Sequence, residues 1–178
     1  MTRSRNRIST QEIALLALLT TLALMFSYIE SLLPAPGPPG VKLGIANIVI
    51  VLILFRMSAT EAAAVNLLRV LLAGLLFTGL SGALYSAAGA FLSLAGMILL
   101  KKTRKFSMVG VSMVGGVLHN LGQLIVAALL VGQRSVFAYF PILIFSGIAS
   151  GILTGIIATL VDMKIPARYF KRHRHQQI

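Results

Sequence analysis

From Ile13 to Leu33 the chain carries a single charged side chain, Glu30. A helix needs about 20 apolar residues to cross a hydrocarbon core, and this run supplies them. It is also too long for the roughly 7–15-residue apolar segment of a cleaved signal peptide. Arg3, Arg5 and Arg7 precede it, and Pro34-Ala35-Pro36 follows in place of a small-residue cleavage site. The run is therefore expected to stay in the mature protein as a first membrane span, about Glu12–Leu33.

The rest of the chain repeats the pattern. After a loop rich in proline and glycine, Pro34 to Gly40, which no helix can continue through, comes a short apolar stretch, Leu43–Phe55. Longer stretches follow at about Thr60–Phe77, Ala83–Leu100, Val109–Val131 and Val136–Val161. The expected fold is all-α: a polytopic membrane bundle of about six helices, with Leu43–Phe55 tilted, shielded or partly re-entrant. Composition agrees, with 57% hydrophobic residues, a mean hydropathy of +0.92 and 11% charged residues, where soluble domains carry about 25%. Residues 1–178 are read as one integral membrane domain. Residues 1–11 and 162–178 are its basic cytoplasmic ends.

The net charge of +12 is a topology signal, because the basic residues cluster between apolar runs. With the N-terminus inside, the inner segments hold Arg3, Arg5, Arg7, Arg56, Lys101, Lys102, Arg104, Lys105, Lys164, Arg168, Lys171, Arg172 and Arg174. The outer loops hold Lys42 and Arg134. Both termini are expected in the cytoplasm, and nucleic acid is not expected as a partner. The tail Lys171-Arg172-His173-Arg174-His175 reads as an anchor on anionic lipid. Cysteine is absent, which removes disulfides, thiolate chemistry and Cys-ligated metals.

Small residues form stripes. Gly82, Ser86, Gly89, Ser93 and Gly96 recur at spacings of four and three, and Gly147, Gly151, Gly155 and Thr159 at four. Such stripes let helix backbones approach closely.

Polar side chains within the spans are few, and each is costly in lipid. Arg69 costs about 2.5–3.5 kcal/mol at mid-helix and so must face the interior. It shares a face with Asn66. One account pairs it structurally with Glu30; another makes it, with Lys42, the receptor for an anionic ligand. The two are compatible. Asn47 lies near the start of the short stretch. His119, Asn120 and Gln123 sit mid-span, either as interhelical hydrogen-bond glue or as a cavity wall. The candidate substrate-binding set is Arg69, His119, Asn120, Gln123, Asn47, Asn66, Glu30 and Lys42. One intramembrane histidine and no cysteine make no metal-ligand set, and no catalytic group or cofactor is expected.

Three blocks are familiar in combination: Ile29-Glu30-Ser31 before the proline-rich loop, Lys42-Leu43-Gly44-Ile45-Ala46-Asn47-Ile48, and His119-Asn120-Leu121-Gly122-Gln123. They resemble the bacterial Gx transporter family, also labelled heptaprenyl diphosphate synthase component I, over nearly the whole chain. That family is similar in turn to the S-components of energy-coupling-factor vitamin transporters. The resemblance implies a six-helix protein of the bacterial inner membrane that binds or transports a small metabolite, anionic or aromatic, alone or with an energising membrane module. The alternative is a non-catalytic accessory role in isoprenoid or quinone metabolism or electron-transfer assembly. Many S-components dock through Ala-x-x-x-Ala on the first helix; here Ala14 is followed by Leu18 and Ala17 by Thr21. Prenyl synthases hold Mg²⁺-diphosphate with clustered carboxylates, whereas this chain has one aspartate, Asp162. An intrinsic prenyl synthase activity is therefore not expected. No phosphate-binding loop of the Gly-x-x-x-x-Gly-Lys type is present, so ATP would act through a partner.

Overall fold

The computed structural model describes residues 9–33 and 44–166. The proline-rich loop, Lys42 and both basic tails lie outside the described residues. Helix starts are written in the sequence. Ser9 caps α1 (Thr10–Leu32) by accepting from the Glu12 N–H at 3.2 Å. Ser58 caps α3 (Ala59–Ala73), accepting from the N–H groups of Thr60 and Glu61. Ser107 caps α5 (Met108–Val131), accepting from Gly110 at 3.2 Å. Each hydroxyl satisfies N–H groups that the first helical turn leaves open. α5 ends at Gly132 in the left-handed conformation, φ 70°, where glycine carries no Cβ penalty.

Between α1 and α3 lies α2, Asn47–Arg56, only ten residues long. It rises about 15 Å, half of a roughly 30 Å hydrocarbon core. Every residue from Asn47 to Leu54 is buried, so its apolar surface faces protein on all sides. Its far end is tied down twice. Arg56 pairs with Asp162 of α6 (Phe140–Lys164). Lys101, near the end of α4 (Gly79–Lys102), donates to the Leu54 carbonyl and lies 5.6 Å from the Phe55 ring centre. The span expected from Leu43 is thus a half-length helix that starts at Asn47, after a turn at Gly44–Ala46.

Among the described residues, four helical stretches are long and apolar enough to cross a membrane: Thr10–Leu32, Ala59–Lys102, Met108–Val131 and Arg134–Lys164. The second folds back on itself. A π-helical turn, Gly74–Thr78, joins α3 to α4, and Gly79 follows with φ +67°. Asn66 Nδ2 donates to the Ala90 carbonyl at 3.1 Å. In a straight helix those residues would lie about 36 Å apart, so α3 and α4 pack side by side, antiparallel. The expected separate spans Thr60–Phe77 and Ala83–Leu100 are the arms of this hairpin. The last stretch begins with a 3₁₀ segment, Arg134–Tyr139, so α6 starts at Phe140, later than the expected Val136.

The protein is an all-helical membrane bundle with six α-helices among the described residues. Arg56, Lys101, Lys102, Arg104, Lys105 and Lys164 gather at the end where α2, α4 and α6 terminate. α5 is central. A methyl group added to Gly151 of α6 would lie 2.5 Å from Met113 Cα, and one on Gly147 would lie 2.8 Å from Val117 Cα. On the α4 side, one added to Gly122 would lie 2.5 Å from the Ala88 carbonyl oxygen. The small-residue stripes are therefore seams of backbone against backbone. Gly82 and Gly96 are exceptions, the first meeting the Thr78 side chain of its own hairpin turn and the second the Leu118 side chain of α5.

Candidate ligand site

Arg69 lies inside the bundle, 4% exposed. One terminal nitrogen donates to Ser27 Oγ of α1 at 3.2 Å, and the other to Asn66 Oδ1, one turn back on α3, at 2.7 Å. Asn66 is held in turn by the Ala90 carbonyl. Arg69 Nε is buried with no hydrogen-bond partner among the described residues. Both oxygens that receive the guanidinium are neutral.

Glu30, on α1 one turn beyond Ser27, is 6% exposed. Its Oε1 accepts from the backbone N–H of Gly44 and from that of Ile45, the latter at 3.3 Å. Its charge pulls favourably on Arg69, but Arg69's hydrogen bonds go to Ser27 and Asn66. The expected structural pair is thus a Coulombic neighbour relation, with each group held by other partners.

The turn that Glu30 grips leads to α5. A methyl group on Gly44 would meet Asn47 Nδ2 at 3.2 Å and His119 Cδ2 at 3.9 Å. On the other side, one on Gly89 of α4 would meet His119 Cε1 and Gln123 Cγ, each at 3.0 Å. His119 and Gln123, four residues apart, share the face of α5 toward α4, and both are buried. Asn120 points elsewhere: its Nδ2 donates to the Leu143 carbonyl of α6 at 2.9 Å and reaches Ser146 Oγ at 3.4 Å. A step of about 100° per residue separates it from His119. The structure thus joins Arg69 to Asn66, sets Asn47 and His119 at the turn that Glu30 holds, puts Gln123 beside His119, and assigns Asn120 to the α5–α6 seam. Lys42 lies outside the described residues.

Sequence reasoning missed two parts of the site. Ser27 was legible only as a small residue; its i,i+3 relation to Glu30, which puts both on one face of α1, was the available signal. The Gly44 and Ile45 amides carry no side-chain signature. Two crevices flank the α1–α3–α4 part of the bundle. One, of about 340 Å³, opens between α3 and α4 beside Leu67 and Phe91, with Asn66 as its polar residue. The other, about 260 Å³, lies between α1 and Phe77.

The family model for heptaprenyl diphosphate synthase component I matches residues 19–161. The chain belongs to that family. No curated protein and no solved structure matches it. The matched region contains every described candidate residue, and the family's name describes one component of an isoprenoid synthase. Mg²⁺-diphosphate chemistry needs carboxylates in a cluster. The four acids of the component I chain, Glu12, Glu30, Glu61 and Asp162, sit apart: at the start of α1, its end, the start of α3 and the end of α6. Among the described residues no group of three His, Cys, Asp or Glu side chains could hold a metal ion.

Proposed function

We propose that this protein is a membrane transporter, or the substrate-binding subunit of one, for a small anionic or aromatic metabolite. The observation that carries the proposal is Arg69: a buried cation with an open Nε donor and two neutral acceptors. Asn66 holds the guanidinium, and the turn that Glu30 grips lies against Asn47 and His119, with Gln123 beside His119. Intramembrane ionisable groups of this kind are expensive unless function requires them, and a broken or half-length helix at mid-depth is a recurrent setting for substrate in carriers. Spent only on helix packing, the same residues would be a poor use of a charge in lipid.

The test pairs stability with uptake or ligand binding for Arg69→Gln and Gln123→Leu. Loss of ligand at near-normal melting temperature is the expected result. Full activity in both variants, or loss only through unfolding, sinks the cavity.

The family description favours a second reading, an accessory membrane protein in isoprenoid metabolism. The crevice between α3 and α4 adds to it, being apolar apart from Asn66 and bordered by exposed leucine and phenylalanine. A stable complex with a partner protein, formed without any cargo, would favour this reading over transport.

The proposed setting is the bacterial inner membrane with both termini in the cytoplasm, supported by the basic residues that gather at one end of the bundle. Single cysteines in this Cys-free chain test it. A cysteine at Ser4 or Gln177 should resist an impermeant reagent in intact cells, and labelling from outside would reverse the orientation.

A further inference from the structure

α2 begins inside the bundle and reaches the basic end after only ten residues, at Arg56. A helix start turned into an apolar interior presents N–H groups and a partial positive charge. Here an anion already fills that place: the Glu30 carboxylate accepts from the Gly44 and Ile45 amides that lead into α2. Arg69 donates to Ser27, one turn before Glu30 on α1, and its buried Nε has no acceptor among the described residues. The two amides therefore hold a carboxylate that belongs to the protein itself, one helical turn from the serine that receives the guanidinium.

We propose that Glu30 is an exchangeable internal counter-ion. Its carboxylate occupies the seat, on the Gly44 and Ile45 amides beside Arg69, that the carboxylate of a small ligand takes, so the two compete. The proposal rests on the ligand-cavity reading given above and names its ligand as a carboxylate of about the size of a glutamate side chain.

Competition has a charge consequence. One guanidinium cannot offset two carboxylates in an apolar interior, so ligand entry neutralises Glu30 by proton uptake from solvent. Among the described residues, the titratable and charged groups around the seat are Glu30 from α1, Arg69 from α3 and His119 from α5. The turn at Gly44–Asn47 offers amides only, and α4 presents Gly89. His119 is the other group able to take the proton, which the variants distinguish.

Sodium propionate is the probe, because it reproduces the glutamate side chain beyond Cα. The protein is placed in lipid nanodiscs, and melting temperature and proton uptake in weak buffer are followed as propionate is added. Wild type should respond weakly and take up protons as it does. Glu30→Gln keeps a neutral acceptor on the amides and removes the competing charge. It should bind propionate about ten- to a hundred-fold more tightly, the scale of a charge-assisted hydrogen bond, without proton uptake. Glu30→Ala should bind more tightly as well, and Glu30→Gln alone decides the matter if that variant fails to fold. Adding Arg69→Gln to Glu30→Gln should abolish the response. Exchange is overturned if both Glu30 variants bind propionate no better than wild type, if tighter binding survives the loss of Arg69, or if Glu30→Gln still takes up protons. The cavity itself has a separate signature: an Arg69→Gln variant that binds like wild type removes the cavity, while loss of binding in Arg69→Gln with unchanged Glu30 variants removes only the exchange.

Discussion

Between α5 and α6, a methyl group on Gly151 would sit 2.5 Å from the Met113 backbone; between α1 and α3, the polar contact is a guanidinium on a serine hydroxyl at 3.2 Å. The first contact is backbone on backbone and tolerates no added atom. The second is side chain on side chain, with one crevice opening between α3 and α4 and another lying between α1 and Phe77. In lipid no hydrophobic force separates buried from exposed leucine, so association depends on close packing and on interhelical hydrogen bonds. The α4–α5–α6 half uses close packing. The α1–α3 half carries Arg69, Asn66, Ser27 and Glu30, and the turn that Glu30 holds lies against His119 of the close-packed half. Close backbone packing and buried polar side chains are thereby placed largely on different helices.

Gly151→Leu should break this division most directly. Its side chain has nowhere to go but the α5 backbone, and overpacking of this kind costs about 1–3 kcal/mol. A wild-type melting temperature for this variant would mean that the α5–α6 seam is not the rigid part. Asn120→Leu removes the α5–α6 hydrogen bonds to Leu143 and Ser146. Interhelical bonds in membranes average about 0.6 kcal/mol, so a small drop in melting temperature with ligand binding intact is expected. Loss of binding at full stability would return Asn120 to the site, and its contrast with Gln123→Leu sharpens the assignment of the two faces of α5. Leu68→Ala, on the exposed side of α3, should change stability by less than about 0.5 kcal/mol. A larger loss would show that this face of the looser half is covered by protein.

What the sequence determined follows from one requirement, that lipid accepts only helices whose backbone groups are satisfied internally. The apolar runs, the serine caps at Ser9, Ser58 and Ser107, and the glycine stripes of α4 and α6 each state their meaning locally, and the cost of polar groups in lipid marked Arg69, Asn66, His119 and Gln123 as interior residues. Partners could not be read the same way. Asn120 and His119 are adjacent in sequence and look alike as intramembrane polar groups, yet one bonds to α6 and the other faces α4, because which neighbour covers each side of α5 is set by packing. Glu30 and Arg69 look like an ion pair by charge alone. The fold instead gives the carboxylate to the Gly44 and Ile45 amides and the guanidinium to Ser27 and Asn66. Only the tertiary structure could decide this, because backbone amides carry no residue signature, and they become an anion seat only when a ten-residue helix is made to begin inside the bundle.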